Sequence, residues 1–89
     1  MGRKLSFTGD TDRFLERLDA KQYKQVVRRI SALAADVTPP DSANLEGSSL
    51  RRVDQGEYRI VYSFDTDTVF IIIVGKRNAD EVYARLRRK

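Results

Sequence analysis

Pro39-Pro40 divides the chain into two stretches whose apolar residues repeat with different periods. Before it, Tyr23, Val26, Val27, Ile30, Leu33 and Ala34 recur at i, i+3, i+4 and i+7, while Lys21, Lys24, Gln25, Arg28 and Arg29 take the other side. That spacing predicts an amphipathic helix of about four turns. The prolines end it, because each lacks an amide donor and pushes the residue before it out of the α region. After them the period falls to two. In Tyr58-Arg59-Ile60-Val61-Tyr62-Ser63-Phe64 the rings and Ile60 share one face, and Arg59, Val61 and Ser63 share the other. Val69 to Val74 is apolar at every position, the pattern of a central strand covered on both faces. A chain of 89 residues can bury one modest core between such helices and such a sheet.

The remaining elements fall around these blocks. Lys4-Leu5-Ser6-Phe7 alternates as a short strand. Gly9-Asp10-Thr11-Asp12 supplies polar caps for a helix carrying Phe14, Leu15 and Leu18, and Asp19-Ala20 is a tight link to the longer helix, giving a helical hairpin. Residues 37–49 read as a linker, strands resume at Leu50, Asp65-Thr66-Asp67 makes a hairpin turn, and Gly75 stops the last strand. Asn78 and Glu81 have capping-box spacing ahead of a final helix that packs through Val82, Tyr83 and Leu86. That helix, short and basic, is expected to be the most mobile element. The order is β-α-α-β-β-β-α, an α+β fold with the hairpin packed on a small, mostly antiparallel sheet in one domain spanning residues 1–89.

Composition narrows the chemistry. With no cysteine and no histidine, disulfides, thiolate nucleophiles and imidazole bases are excluded, and the commonest metal ligands are missing, so no cofactor or metal is expected. The apolar run of six residues is too short for a bilayer, which takes about 20 in a helix, so no membrane role is expected. The basic N-terminus has no apolar stretch behind it, which reads as no signal peptide and a cytoplasmic location. Net charge is 17 − 13 = +4, and four positive residues crowd Arg85-Leu86-Arg87-Arg88-Lys89. This favours an anionic partner, although simple solubility would also account for it.

The residues that could carry chemistry are Arg52, Arg59, Arg77 and Tyr83, with Arg51, Lys76, Arg85, Arg87 and Arg88 as further contacts to RNA. Arg59 interrupts an apolar strand, Arg52 lies one hairpin away, and Arg77 follows the next strand. Adjacent strands are about 4.8 Å apart, so guanidinium groups on one face of a meander can grip the same phosphate. RNA brings its own nucleophile, the 2′-hydroxyl beside the scissile phosphate. Arginines would stabilise the phosphorane charge, and a tyrosinate, with its pKa lowered by Arg59 and Arg77, could take the proton. Spacing alone equally allows Arg59 as a solvated or ion-paired strand residue, Tyr83 as packing, and the basic tail as a solvated helix end. Asp54 with Glu57, and Asp65 with Asp67, read as turn and strand-end polarity. Composition and spacing thus reach a basic α+β domain with a candidate anion-binding sheet face.

The blocks Leu45-Glu46-Gly47, Gly56-Glu57-Tyr58-Arg59-Ile60-Val61-Tyr62, Ile73-Val74-Gly75-Lys76-Arg77 and Glu81-Val82-Tyr83, in this order and spacing, resemble the RelE/ParE superfamily of type II toxins, RelE branch. The resemblance covers nearly the whole chain. It implies a ribosome-dependent, metal-independent mRNA endonuclease that halts translation and is neutralised by a cognate antitoxin, the free toxin being a monomer. It also implies roles. Arg59 would contact the phosphate, Arg77 would stabilise charge or act as acid, and Tyr83 would orient the RNA or act as base. Arg52 would be one of two basic residues on the second strand. Leu50 stands where the other is expected, and alternation sends Arg51 to the opposite face. The alternatives are a ParE-like inhibitor of DNA gyrase and an inactive relative that only binds antitoxin.

Overall fold

The computed structural model describes residues 2–78 and 81–87. Eight elements follow in order: β1 (Lys4–Phe7), α1 (Gly9–Glu16), α2 (Ala20–Ala35), β2 (Ala43–Asn44), β3 (Arg51–Gln55), β4 (Tyr58–Phe64), β5 (Thr68–Lys76) and α3 (Glu81–Arg87). The strands form one sheet in the order β1-β5-β4-β3-β2. Only the β1–β5 pairing is parallel; β2 to β5 form antiparallel neighbours. The fold is therefore α+β, and the central place of the fully apolar β5 agrees with its sequence.

Local chemistry explains where the helices begin. Thr8 caps α1 by accepting from the Thr11 amide at 3.2 Å, so the cap lies one residue ahead of the polar run Gly9 to Asp12. Asp19 caps α2 by accepting from the Gln22 amide at 2.9 Å. The α2 stripe buries Val26, Ile30 and Leu33 completely, whereas Tyr23, placed in the same stripe by spacing, stands 47% exposed on its outer shoulder. The linker also differs from expectation. Ala43 and Asn44 pair with Arg52 and Arg51, adding the short edge strand β2.

Two apolar clusters sit on opposite faces of the sheet. The larger joins Leu15, Val26, Ile30 and Leu33 to Val53, Tyr58, Ile60, Tyr62, Val69, Ile71 and Val74. Tyr62 is fully buried and its hydroxyl donates to the Val37 carbonyl at 2.7 Å, so no polar group is stranded there. The smaller joins Val61, Ile73 and Val82, with Leu45, Leu50, Ile72, Tyr83 and Leu86 around them. A bulge makes this division possible. Tyr62 pairs with Ile71 and Val61 with Ile73, so Ile72 is the extra residue. Past it the facing of β5 is shifted, and Ile73 joins the small cluster while Val74 joins the large one.

Gly75 does not stop β5, which runs on to Lys76. Its hydrogen serves packing instead. A Cβ there would lie 2.8 Å from Val82 Cγ2 and 3.0 Å from Arg85 Nη1, so α3 can rest on the strand only because that atom is missing. Beyond Ile71, where pairing with β1 ends, side chains supply donors to β5 carbonyls. Thr8 Oγ1 reaches the Ile72 oxygen at 2.7 Å and Arg85 Nη1 reaches that of Val74 at 2.8 Å. The helix begins at Glu81; residues 79–80, across which the Asn78–Glu81 capping box would close, lie outside the described residues. Gly75→Ala should push α3 off the sheet at a cost of about 1–3 kcal/mol. Denaturant unfolding should show the loss and amide exchange should quicken in α3 while β4 stays protected; unchanged exchange in α3 would contradict this account of Gly75.

Candidate functional site

The β3–β4 hairpin sets the geometry. Its two-residue turn, Gly56-Glu57, has Gly56 at φ +59°, a left-handed conformation that glycine adopts without a Cβ clash. A turn of that length pairs Gln55 with Tyr58 and therefore Asp54 with Arg59. Alternation then places Leu50, Arg52, Asp54, Arg59 and Val61 on the face that carries α3. Arg51, Val53 and Gln55 go to the face that carries α1 and α2.

Arg59 is the centre of the cluster. Its Nε donates to Asp54 Oδ1 at 2.8 Å and its Nη2 to Asp54 Oδ2 at 3.2 Å, a two-pronged pair. Its Nη1 donates to the Tyr83 hydroxyl oxygen at 2.7 Å, and its guanidinium carbon is 5.8 Å from the centre of that ring. Arg77 Nη1 lies 3.6 Å from Asp54 Oδ2, while the Arg77 amide donates to the Glu57 carbonyl at 3.0 Å and so continues the strand pairing by one residue. Arg52 lies two residues from Asp54 on the same face, near enough for its charge to act on that carboxylate. Thus Arg52, Arg59, Arg77 and Tyr83 converge, and Asp54 stands among them.

Sequence alone gives Asp54 strand-end polarity; in the fold it lies against two arginines. The signal was present in the short Gly56-Glu57 turn, whose length puts residue 54 opposite residue 59. Hydrogen bonds from Arg59 hold the Asp54 carboxyl below the usual carboxylate range, against an opposing effect of burial, and the charges of Arg59, Arg52 and Arg77 add to the lowering. Reciprocally, Asp54 holds the Arg59 guanidinium above its ordinary value.

The other basic candidates are placed differently. Arg51 faces the helical side and is bound to Asn44 Oδ1 at 2.6 Å and Ser42 Oγ at 2.7 Å, tying down the segment around β2. Lys76 is exposed but pairs with Tyr58, and alternation sends it away from Arg59. Arg85 is turned inward. It pairs with Asp10 of α1 and with Glu81, donates to Val74, and its guanidinium carbon lies 5.2 Å from the centre of the Phe14 ring. Its role in this arrangement is to hold α3, and with it Tyr83, against the sheet. Arg87 is exposed at the end of α3 and Arg88 lies outside the described residues. Leu50 belongs to the apolar cluster beneath α3, which gives a packing reason for the absence of a basic residue there.

Residues 5–81 match the family described as the ParE toxin of the type II toxin–antitoxin system parDE. The chain belongs to this family, within the RelE/ParE superfamily. Solved structures share the toxin's fold. A double arginine-to-alanine mutant of E. coli toxin RelE in the free state matches with TM-score 0.80 and 23% identity, over 99% of this chain and 98% of that one. The archaeal RelE–RelB complex from Pyrococcus horikoshii OT3 matches with TM-score 0.77 and 22% identity, over 89% and 99%. The YoeB/ParE toxin from Agrobacterium tumefaciens matches with TM-score 0.70 and 18% identity, over 83% and 98%. At these identities the likeness speaks for the fold alone. No curated protein sequence matches the toxin. Among the described residues, no helix is long and apolar enough to cross a membrane.

The lowered Asp54 carboxyl links the site to the toxin's stability. A carboxyl whose folded pKa lies below its unfolded value contributes stability above about pH 4, and that contribution is lost as pH falls through the lowered value. Wild-type stability should therefore fall more steeply below pH 4 than that of Asp54→Asn. Denaturant unfolding of both proteins across pH 2 to 5 checks this, and parallel curves would show that Asp54 gains nothing from its arginines.

Proposed function

We propose that the toxin is a metal-independent endoribonuclease that cuts mRNA on the ribosome and thereby stops translation. The 2.7 Å contact between Arg59 and the Tyr83 hydroxyl carries this reading, because it joins a phosphate-binding cation to a group that can receive a proton. The substrate supplies the nucleophile. Its 2′-oxygen attacks the neighbouring phosphorus, the bond to the 5′-oxygen breaks, and the products end in a 2′,3′-cyclic phosphate and a 5′-hydroxyl. Tyr83 orients the 2′-hydroxyl and, as the phenolate, takes its proton, while the departing 5′-oxygen takes a proton from solvent. Arg59 and Arg77 meet the charge that grows on the phosphorane oxygens, and Arg52 adds positive potential beside them. Arg87 at the end of α3 is a candidate contact to ribosomal or messenger RNA, and such contacts would make binding fall steeply with salt.

The partner in the resting state is a cognate antitoxin. The matched family is defined by a toxin–antitoxin system, and the Pyrococcus relative is described in complex with RelB. A second reading has specific support. The matched family carries the ParE name. On that reading the same fold binds DNA gyrase and cuts no RNA.

Purified toxin with message-programmed ribosomes distinguishes the two. Primer extension should show cuts in codon register, and removing a donor to the phosphorane in Arg59→Ala or Arg77→Ala should lower kcat by about 10²–10³-fold. Tyr83→Phe should lose activity while keeping the ring contacts of α3. Intact message, together with loss of gyrase supercoiling activity, would replace the nuclease by the gyrase inhibitor.

A further inference from the structure

We propose that Asp54 is the positioning residue of this site: its carboxylate locks Arg59 toward Tyr83 and keeps Arg77 alongside until a phosphate draws Arg77 away. The inference rests on the cluster being a phosphodiester site, as proposed above, and adds the one acidic member to its working parts.

Three observations lead there. First, the pairing is built into the backbone. Asp54 and Arg59 are direct cross-strand partners beside a two-residue turn, so their α-carbons stay opposite one another as long as the ladder holds. Second, the hydrogen bonds are divided unequally. Asp54 takes two Arg59 donors at 2.8 and 3.2 Å, and Tyr83 takes a third, leaving two of the five guanidinium N–H groups for a ligand. Arg77 approaches the same carboxylate only to 3.6 Å, an ion pair without a hydrogen bond. Third, exposure rises in the order a hand-over requires. The side chains are 18% exposed at Arg59, 26% at Asp54 and 52% at Arg77. Arg59 is held and Arg77 is free to turn outward.

Charge gives the reason. Arg52, Arg59 and Arg77 bring three positive charges to one patch, and like charges at such range repel. Asp54 supplies the counter-charge that lets them gather before any RNA arrives. A bound phosphate would then satisfy Arg77, while Arg59 remains aimed by Asp54. A carboxylate that merely blocked the site would have to withdraw on binding. Asp54, opposite Arg59 in the sheet and bound to it by two hydrogen bonds, would have to give up both to do so.

The test compares wild type, Asp54→Asn and Asp54→Ala on programmed ribosomes. Misaiming Arg59 in Asp54→Ala should lower kcat by about 10²-fold, with KM unchanged or lower because a negative charge has left the cationic patch. Asp54→Asn keeps one acceptor oxygen and should recover part of the rate, and it serves if the alanine variant folds poorly. The Arg59 Nε–H resonance should be protected in wild type and lost from protection in Asp54→Ala while the β4 amides stay protected. An unchanged or raised kcat in Asp54→Ala, or a rise in KM alone, would overturn the proposal. If the wild-type toxin cuts no ribosome-bound message, the nuclease reading falls, and titration with inorganic phosphate decides the role of Asp54 by itself. In wild type phosphate should shift the Arg77 Nε–H signal and spare that of Arg59; in Asp54→Ala it should shift both. Phosphate that frees Arg59 from Asp54 in wild type would overturn the positioning role.

Discussion

Three guanidinium groups gathered on a small patch of sheet repel one another, and the Asp54 carboxylate, paired with Arg59 and close to Arg77, supplies a counter-charge. The two-residue turn at Gly56-Glu57 sets residue 54 against residue 59, and strand alternation turns both toward α3. Arg59 then reaches Tyr83, so the catalytic candidate on the last helix is tied to a candidate on the second strand of the meander. Arg77 enters because it sits one residue past β5, where its amide extends the same ladder. Each member of the cluster is placed by backbone pairing or by α3, and none depends on a long loop.

The placement of α3 is a separate problem with a separate solution. A helix of seven described residues has little stability of its own, so its docking must come from contacts. Val82 enters the small apolar cluster, the bare α-carbon of Gly75 lets it come close, and Arg85 ties the helix to α1, to β5 and to Glu81. The bulge at Ile72 belongs to the same solution. By shifting the facing of β5 it turns Ile73 toward the small cluster while Val74 still serves the large one. The core under α1 and α2 thus forms the platform, and the second cluster holds the element that completes the site.

Much of this was legible in the sequence, for physical reasons. The α2 stripe and the alternation of β4 are signals averaged over many residues, and they survived folding almost unaltered apart from Tyr23 on its shoulder. The convergence of Arg59, Arg77 and Tyr83 was legible too, because parity and turn position carry it. Features that depend on one neighbour were not. Thr8 caps in place of Asp10, Thr11 and Asp12, and its hydroxyl also reaches the Ile72 carbonyl. Gly75 looks like a strand terminator until α3 is known to lie across it. Arg85 looks like part of a basic tail until Asp10, seventy-five residues away, is found beside it. Asp54 looked like turn polarity because its meaning lies in its partner across the hairpin, and β2 has only two residues with which to announce itself.

The cluster also bears on why a superfamily with one fold supports different targets. A partly buried ion pair contributes little net stability, since the cost of drying both charges roughly cancels their attraction, and apolar residues of similar size often serve a fold as well. The sheet beneath Arg59 already has Val61 and Ile73 fully buried and could have been covered by α3 with apolar residues throughout. An arginine held by a carboxylate on one side and a phenol on the other ties α3 to the sheet as Arg85 does, but among the described residues it also keeps two N–H groups without a partner, which a structural tie does not need. A surface that only had to adhere to a partner would also have little use for it, because long exposed cations steer binding without being locked in place. Locking is what a reaction requires, since a donor aimed at charge that has not yet formed must not need to reorganise when it does. By that criterion the Asp54–Arg59–Tyr83 arrangement is consistent with the proposed chemistry on a phosphodiester, on a fold that is common to both branches.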